Sequence, residues 1–243
     1  MKNEQGAAMI VVLVVLLLIA IAGTIAMRSG VFGSRLATNT QVGNLLINNN
    51  DAALTKFEDM DATDIQTNFS PGGMYHYLLE PVNAANELVF CYHSGDADTF
   101  GTAKASMISP SGTTSNLAGT TSGFCDASRF SSGRNAVITQ VHMKRQDTGA
   151  DSLVVGSTLN QDVLTTQKTI NISLSAISIL PAYASSNINP NDIEDCFKKT
   201  AFKPATTGTT NESNAECFAR LNMPYEIQST DFRAGNEIVV TRP

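Results

Sequence analysis

Residues Ala7 to Met27 form an unbroken run without a charge or a proline. Coiled as a helix at 1.5 Å per residue it would be about 31 Å long, enough to cross a hydrocarbon core of about 30 Å. Such a run has to be covered by lipid, by other helices or by the chain's own core, and the rest of the sequence must be compatible with that demand. Lys2 and Glu4 are the only charges before it; Arg28 and Arg35 follow, and the first acidic residue after Glu4 is Asp51. Lys2 is balanced by Glu4, and both arginines lie beyond the run, so the positive-inside rule assigns no orientation.

Composition removes several classes of partner. Of 243 residues, 42% are hydrophobic and only 16% are charged, and the net charge is −6 without any long run of one sign. Nucleic acid is excluded as a partner, because its binding needs clustered Lys and Arg against phosphates. A polybasic membrane-surface anchor is excluded on the same ground. There is no tryptophan, and the apolar fraction is close to that of a folded domain, which argues against disorder throughout.

Three fates fit the N-terminal run. A cleaved secretory signal has an apolar region of about 7–15 residues and a small-residue cleavage site; this run is longer, and Gly23 and Ala26 form no A-x-A site. A plain membrane anchor fits the length. The third reading starts at Gly6, where a short polar leader, Met1 to Gly6, ends in a glycine at the edge of the apolar run. That arrangement resembles the class III signal of type IV pilins. Gly6-Ala7-Ala8-Met9-Ile10-Val11-Val12, the Leu/Val/Ile run and Ala26-Met27-Arg28 are similar to the N-terminus of the PilX-like minor pilins. Arg35-Leu36-Ala37-Thr38-Asn39 and Asp51-Ala52-Ala53-Leu54 extend the likeness over roughly the first 55 residues. Gln5 stands where a basic residue is common in the family.

The resemblance implies a prepilin peptidase that cuts between Gly6 and Ala7 and methylates the Ala7 amine. It implies an inner-membrane protein with one span and a periplasmic head, later carried into a pilus on the cell surface. The partners it implies are other minor and major pilins, the peptidase, the inner-membrane assembly platform and a large pilus-tip adhesin. Typical pilins carry a glutamate at the fifth mature residue; here that residue is Val11, and no acidic side chain occurs between Ala7 and Asn50. A subunit of this kind is expected at or near the tip, priming assembly and supporting adhesion or twitching motility. The alternatives are a K-type pseudopilin of type II secretion, which shares the missing acid, and a membrane-anchored periplasmic enzyme, binding or sensor domain.

Beyond the span, Val42, Leu45, Leu46, Ala53 and Phe57 recur at spacings that place them on one helical face, with Asn48, Asn50, Asp51 and Lys56 assigned to the other. Residues 28–57 therefore read as the amphipathic second half of a stalk helix. Gly30, Gly33 and Gly43 each weaken it by about 1 kcal/mol relative to alanine, which predicts either a bent or frayed linker or a long helix with local melting. Residues 58–243 read as a mostly β head. Strands are expected at Glu87–His93, Ala136–Arg145 and Thr169–Ala176, the last ending in a bulge or strand end where the apolar phase changes at Ala176-Ile177. Tyr225–Phe232 and Glu237–Thr241 flank Arg-Ala-Gly235-Asn236 as a hairpin. Ser109–Arg134 and Pro204–Asn211 read as surface loops. Ser213-x-x-Glu216 predicts a capped helix ahead of Cys217, and Asn191-x-x-Glu194 a weaker one ahead of Cys196. The fold class is α+β: a long N-terminal helix packed on a β-rich, pilin-like head.

Cys91, Cys125, Cys196 and Cys217 form no C-x-x-C, and three histidines, His76, His93 and His142, make a zinc cluster improbable. An even count beyond a membrane span fits two disulfides in an oxidising compartment. Of the three connectivities, Cys91–Cys125 with Cys196–Cys217 is favoured because each closes a loop-rich segment; reduced, buried thiols in a cytoplasmic domain are the alternative. By resemblance, a disulfide-bounded C-terminal loop also suits a pilin. Asp96-Ala-Asp98-Thr-Phe-Gly101 lacks ligands at the fifth and twelfth calcium-loop positions, Phe100 and Met107, and reads as a turn. His93 belongs to no catalytic motif, and His142 reads as a satisfied sheet histidine. No catalytic residue, metal site or cofactor is expected.

Overall fold

The computed structural model describes residues 4–96, 98–118, 121–128, 130–131, 136–146, 154–156, 163–184, 188–202 and 212–241; at 4–8, 32, 35–36, 154–156, 163–168 and 236–241 it describes the backbone alone. Met1 to Asn3 of the expected leader and the expected Pro204–Asn211 loop lie outside the described residues. The chain divides into two compact units, Met1–Asn44 and Leu45–Pro243.

Helix α1, Glu4–Glu58, supplies the first unit and continues into the second. It passes without interruption through Gly30, Gly33 and Gly43. No proline interrupts it, and good helix formers such as Leu and Ala are frequent along it.

In the second unit, α1 from Leu45 onward lies on a seven-stranded antiparallel sheet. The strands are β1 (Glu87–Tyr92), β2 (Ala105–Ile108), β3 (Thr114–Asn116), β4 (Ile138–Arg145), β5 (Val154–Gly156), β6 (Val163–Ile179) and β7 (Tyr225–Thr241). Their order is β3-β2-β1-β4-β6-β5, with β7 on the other side of β6. Leu54 and Phe57 of α1 pack with Leu88, Phe90, Val141, Met143, Ile172 and Leu174 on one face of the sheet. Helices α4 (Pro190–Phe197) and α5 (Asn214–Arg220) cover part of the opposite face through Ile193, Phe197 and Phe218, against Ile138, Ile177 and Ile179.

Two covered faces explain two departures from the sequence reading. The apolar phase change at Ala176-Ile177 is neither a bulge nor a strand end: β6 continues to Ile179 with unbroken register to β4 and β7. Residues 170, 172, 174 and 176 face α1, whereas Ile177 and Ile179 face the α4–α5 side. The hydrophobic pattern changes face because the covering layer changes face. The expected hairpin at Arg233–Asn236 is also absent. These residues pair with Lys168–Asn171, so β7 is one strand with Gly235 opposite Thr169.

Asn50 is a third correction. It is buried rather than on the solvent side of the helix, because Leu46, Asn50, Ala53 and Phe57 share one stripe at spacings of four, three and four. Its amide is satisfied there, with Nδ2 donating to the Glu226 carbonyl at 3.0 Å and Oδ1 accepting from the Ser178 hydroxyl at 2.7 Å.

The two C-terminal helices start at side-chain caps. Ser213 Oγ accepts from the Glu216 N–H, and Glu216 Oε2 accepts from the Ser213 N–H at 3.0 Å, as the sequence predicts for α5. For α4 the cap is Asn189 and not Asn191. Pro190 takes the first helical position, where its missing N–H costs nothing, and Asp192 closes the box. Helices α2 (Ala62–Phe69) and α3 (Met74–Leu79) occupy a stretch not assigned from sequence and bury Phe69, Met74, Tyr75 and Leu78. The expected Ser109–Arg134 surface loop contains β3, and its Gly123–Cys125 portion is buried.

Candidate functional site

Met9–Val31 of α1 has the length and composition of a membrane span and is wholly uncovered by the rest of the described chain. Most of its side chains are large and apolar, and Val11 through Leu18 keep about half or more of their surface exposed. At about 25 cal/mol per Å² of apolar surface, a face of this size is unstable in water. Gly6 and Ala7 lie in the backbone of the first turns of α1, and their side chains are outside the description. Val11 sits on the exposed surface with only apolar side chains around it in sequence. The chemistry available to this segment is association, with lipid or with other helices.

The head is fixed by two disulfides, Cys91–Cys125 and Cys196–Cys217, with Cα atoms 4.9 and 5.4 Å apart. The first ties β1 to the segment after β3; the second ties α4 to α5. All four cysteines are buried. Gly123, two residues before Cys125, lies so close to the sheet that a Cβ would overlap the Val89 carbonyl and the Ser106 N–H. Its own N–H donates to Ser106 Oγ at 2.8 Å.

Each face of the sheet carries a buried polar network. On the α1 face, Ser131 Oγ donates to Thr139 Oγ1 at 2.8 Å, Thr139 meets Ser178 Oγ at 2.8 Å, and Ser178 reaches Asn50. This chain of hydroxyls links the loop before β4, β4 and β6 to α1. On the other face, His142 Nδ1 bonds the Glu87 carboxylate. Glu87 also accepts from the Ala201 N–H at 2.9 Å and the Thr200 hydroxyl at 2.5 Å. Gln140 Oε1 accepts from the Cys125 N–H at 2.9 Å, which leaves its Nε2 to donate to the Phe197 carbonyl at 2.7 Å and to His142 Nε2 at 2.9 Å. Asn214 Nδ2 lies 3.1 Å from the same ring nitrogen. His142 Nε2 is therefore an acceptor, and the ring proton sits on Nδ1 toward Glu87.

Burial pushes the Glu87 carboxyl up, but its contacts with His142, the Ala201 N–H and the Thr200 hydroxyl together outweigh it and hold the group below the usual carboxylate range. His142 is thus a satisfied sheet histidine. Its partners come from β1, β4 and α5; Glu87 also holds Thr200 and Ala201 beyond α4, and Gln140 holds the Phe197 carbonyl at the end of α4 and the Cys125 N–H after β3. Both carboxylate oxygens are occupied, so the arrangement clamps the α4–α5 loop to the sheet rather than presenting a free acid or base. Sequence reading missed Glu87, Gln140 and Asn214, which are separated by up to 127 positions; polar residues set at inward positions of β1 and β4 mark the first two, and nothing local marks Asn214 in α5.

A cleft of about 540 Å³ opens beside this clamp, lined by Glu87, Lys144, Asp195, Lys198, Lys199 and Glu212 among others. Lys198 pairs with Asp195 and Lys199 with Glu212, both at 3.4 Å, so its charges largely compensate one another. Asp96 lies in the expected turn and binds Lys104 at 3.1 Å, while the exposed His93 accepts from the Gly95 N–H at 3.2 Å. Among the described residues no three His, Cys, Asp or Glu side chains are grouped as metal ligands. No family of related sequences, no curated protein and no solved structure matches the chain.

Proposed function

We propose that this chain is a non-catalytic minor pilin of a type IV pilus, placed at or next to the tip, where it primes assembly. The observation that carries the reading is the wholly uncovered apolar stretch Met9–Val31, preceded by Gly6 and followed by no acidic residue until Asp51. A helix of this kind is held in the inner membrane as a single span with the head in the periplasm, and then transferred to a filament core of similar helices. The two disulfides suit that oxidising side of the membrane.

The place in the filament follows from charge. In the usual pilin arrangement, the buried glutamate of an incoming subunit neutralises the N-terminal amine of the subunit added before it. Either charge left unpaired in an apolar core costs several kcal/mol. With Val11 in place of that glutamate, this subunit has no carboxylate to offer an amine above it, but can still present its own Ala7 amine to a glutamate below. That asymmetry suits the first subunit assembled. It also implies low copy number and contacts between the head and other minor pilins or a tip adhesin.

Intact-mass measurement of the mature protein is the direct test. Loss of residues 1–6 with one added methyl group is expected. Gly6→Val, which places a β-branched side chain at the cut, is expected to leave the precursor uncleaved in the inner membrane. A wild-type protein retaining its N-terminus would assign the chain to the membrane-anchored class instead, and normal maturation of Gly6→Val would defeat the class III assignment.

A further inference from the structure

The two ends of the sheet are finished differently. At one end β3 is three residues long, short enough to offer little to a neighbouring chain. At the other, β7 runs for 17 residues and, among the described residues, pairs only with β6. Natural edge strands are usually blunted by lysine, proline, a bulge or a covering segment. Tyr225–Thr241 contains neither lysine nor proline, and its register with β6 is unbroken over the whole length. Outside the sheet ladder, a single hydrogen bond reaches the backbone of Tyr225–Gly235 among the described residues, from Asn50 to the Glu226 carbonyl.

Immediately beyond that point, a groove of about 540 Å³ lies between α1 and β7, lined by Asp51, Leu54, Thr55, Glu58, Gln228, Ser229 and Thr230. Gln228 and Thr230 pair with Ala176 and Leu174 and so belong to the α1 face, whereas Ser229 pairs with Ser175 on the other. Residues from both faces line the groove, so it opens on the strand's free edge. Two further features there are unspent. Gln228 Oε1 is buried without a hydrogen-bond partner, and a buried acceptor left so normally costs about 1–3 kcal/mol. Asp51 and Glu58 are exposed on the same helix face, about two turns apart, and the groove lining holds no cation.

We propose that the free edge of β7 over Ile227–Asp231 is a docking site for an extended, basic segment of a partner polypeptide, which adds to the sheet as an eighth strand. Main-chain bonds to β7 supply the attachment, and alternate side chains of the added strand lie along α1. There they meet Leu54 with an apolar group and Asp51 and Glu58 with lysine or arginine, while Gln228 Oε1 gains a donor. The charge of the groove selects a basic strand over an acidic one and over a second copy of this acidic chain. Every residue of this docking site belongs to the head, and the site stands independently of the pilus role.

The test uses the full chain in a neutral detergent and two fluorescent ten-residue peptides, one alternating Lys and Val, the other Glu and Val. At low salt the Lys-Val peptide is expected to bind at least tenfold more tightly and to slow amide exchange within Ile227–Asp231 at least tenfold. Combining Asp51→Lys with Glu58→Lys, both exposed positions, is expected to reverse the preference between the peptides while β7 remains the protected strand. The proposal is overturned if neither peptide binds, if both bind equally, or if protection falls outside β7. Slowed exchange at the same amides through self-association without peptide would also overturn it, by giving the edge to a second copy.

Discussion

Single residues in this head act mainly by closing polar networks that the sheet would otherwise leave unsatisfied. Asn50 is a polar residue in an apolar stripe, and its two hydrogen bonds fix the position of α1 along β6 and β7. Glu87 does the same for the α4–α5 loop, through His142 and the Thr200–Ala201 segment. Its carboxyl is held below the usual range in the folded state, despite burial pushing it up. The stability it contributes is therefore complete above the unfolded carboxylate pKa of about 4.3 and is lost as pH falls through the lower folded value. Thermal melting between pH 7 and pH 3 should show a steep acid decline in the wild type. Glu87→Gln should melt lower at pH 7 and lose less on acidification, because its side chain has no proton to take up. Two parallel melting profiles would remove Glu87 from the acid response.

At the scale of elements, the C-terminal loop is held by three independent devices: capped helices, the Glu87–His142 clamp and the Cys196–Cys217 disulfide. The disulfide closes a separation of 21 residues, for which chain entropy gives roughly 3 kcal/mol. Cys196→Ser with Cys217→Ser should destabilise the head by about 2–5 kcal/mol, with exchange rising first in α4 and α5. Purified, unreduced wild type should resist alkylation at all four cysteines; labelling of all four would contradict an oxidised head. The last four turns of α1 are the other decisive element. Phe57 is fully buried, with ring centroids 5.1 Å from Phe100 and 5.3 Å from Phe232. Ala53 and Leu54 belong to the same cluster, and Leu46 is buried as well. A chain beginning at Leu45 should therefore fold, whereas one beginning at Asp59 should not. Loss of Phe57 alone removes about 3–5 kcal/mol by analogy with buried Phe→Ala changes. Near-ultraviolet circular dichroism and urea melts of the two truncations decide it; equal cooperativity would mean that α1 is dispensable to the core.

For the molecule as a whole, one helix serves two environments. Up to Met27 it presents almost only apolar side chains on all sides, and from Leu45 onward a single stripe enters the core of the head. In the proposed role the first part is shared with neighbouring subunits and the second keeps the head attached. Immunogold labelling of the head on sheared pili should give sparse label at one end of each filament. Regular decoration along the shaft would reject the tip position, leaving Val11 as a substitution tolerated throughout.

Features that depend on neighbours along the chain were legible before any fold was known. The apolar run, the short apolar strand β1, the alternation of β4 and β6, the Ser213–Glu216 cap and the even cysteine count are all of this local kind. The lower half of the stalk helix was legible too, except at Asn50, where a polar residue on the apolar stripe was assigned to water. Tertiary structure decided which face of each strand was covered, and that settled what local patterns left ambiguous. The phase change at Ala176-Ile177 became a change of covering layer, and Arg233–Asn236 continued a strand because β6 was long enough to pair with it. The clamp joining Glu87, Gln140, His142 and Asn214 also belongs to this second class. Its members are individually ordinary polar residues, and only the burial of both sheet faces, which removes water as a partner, makes them satisfy one another.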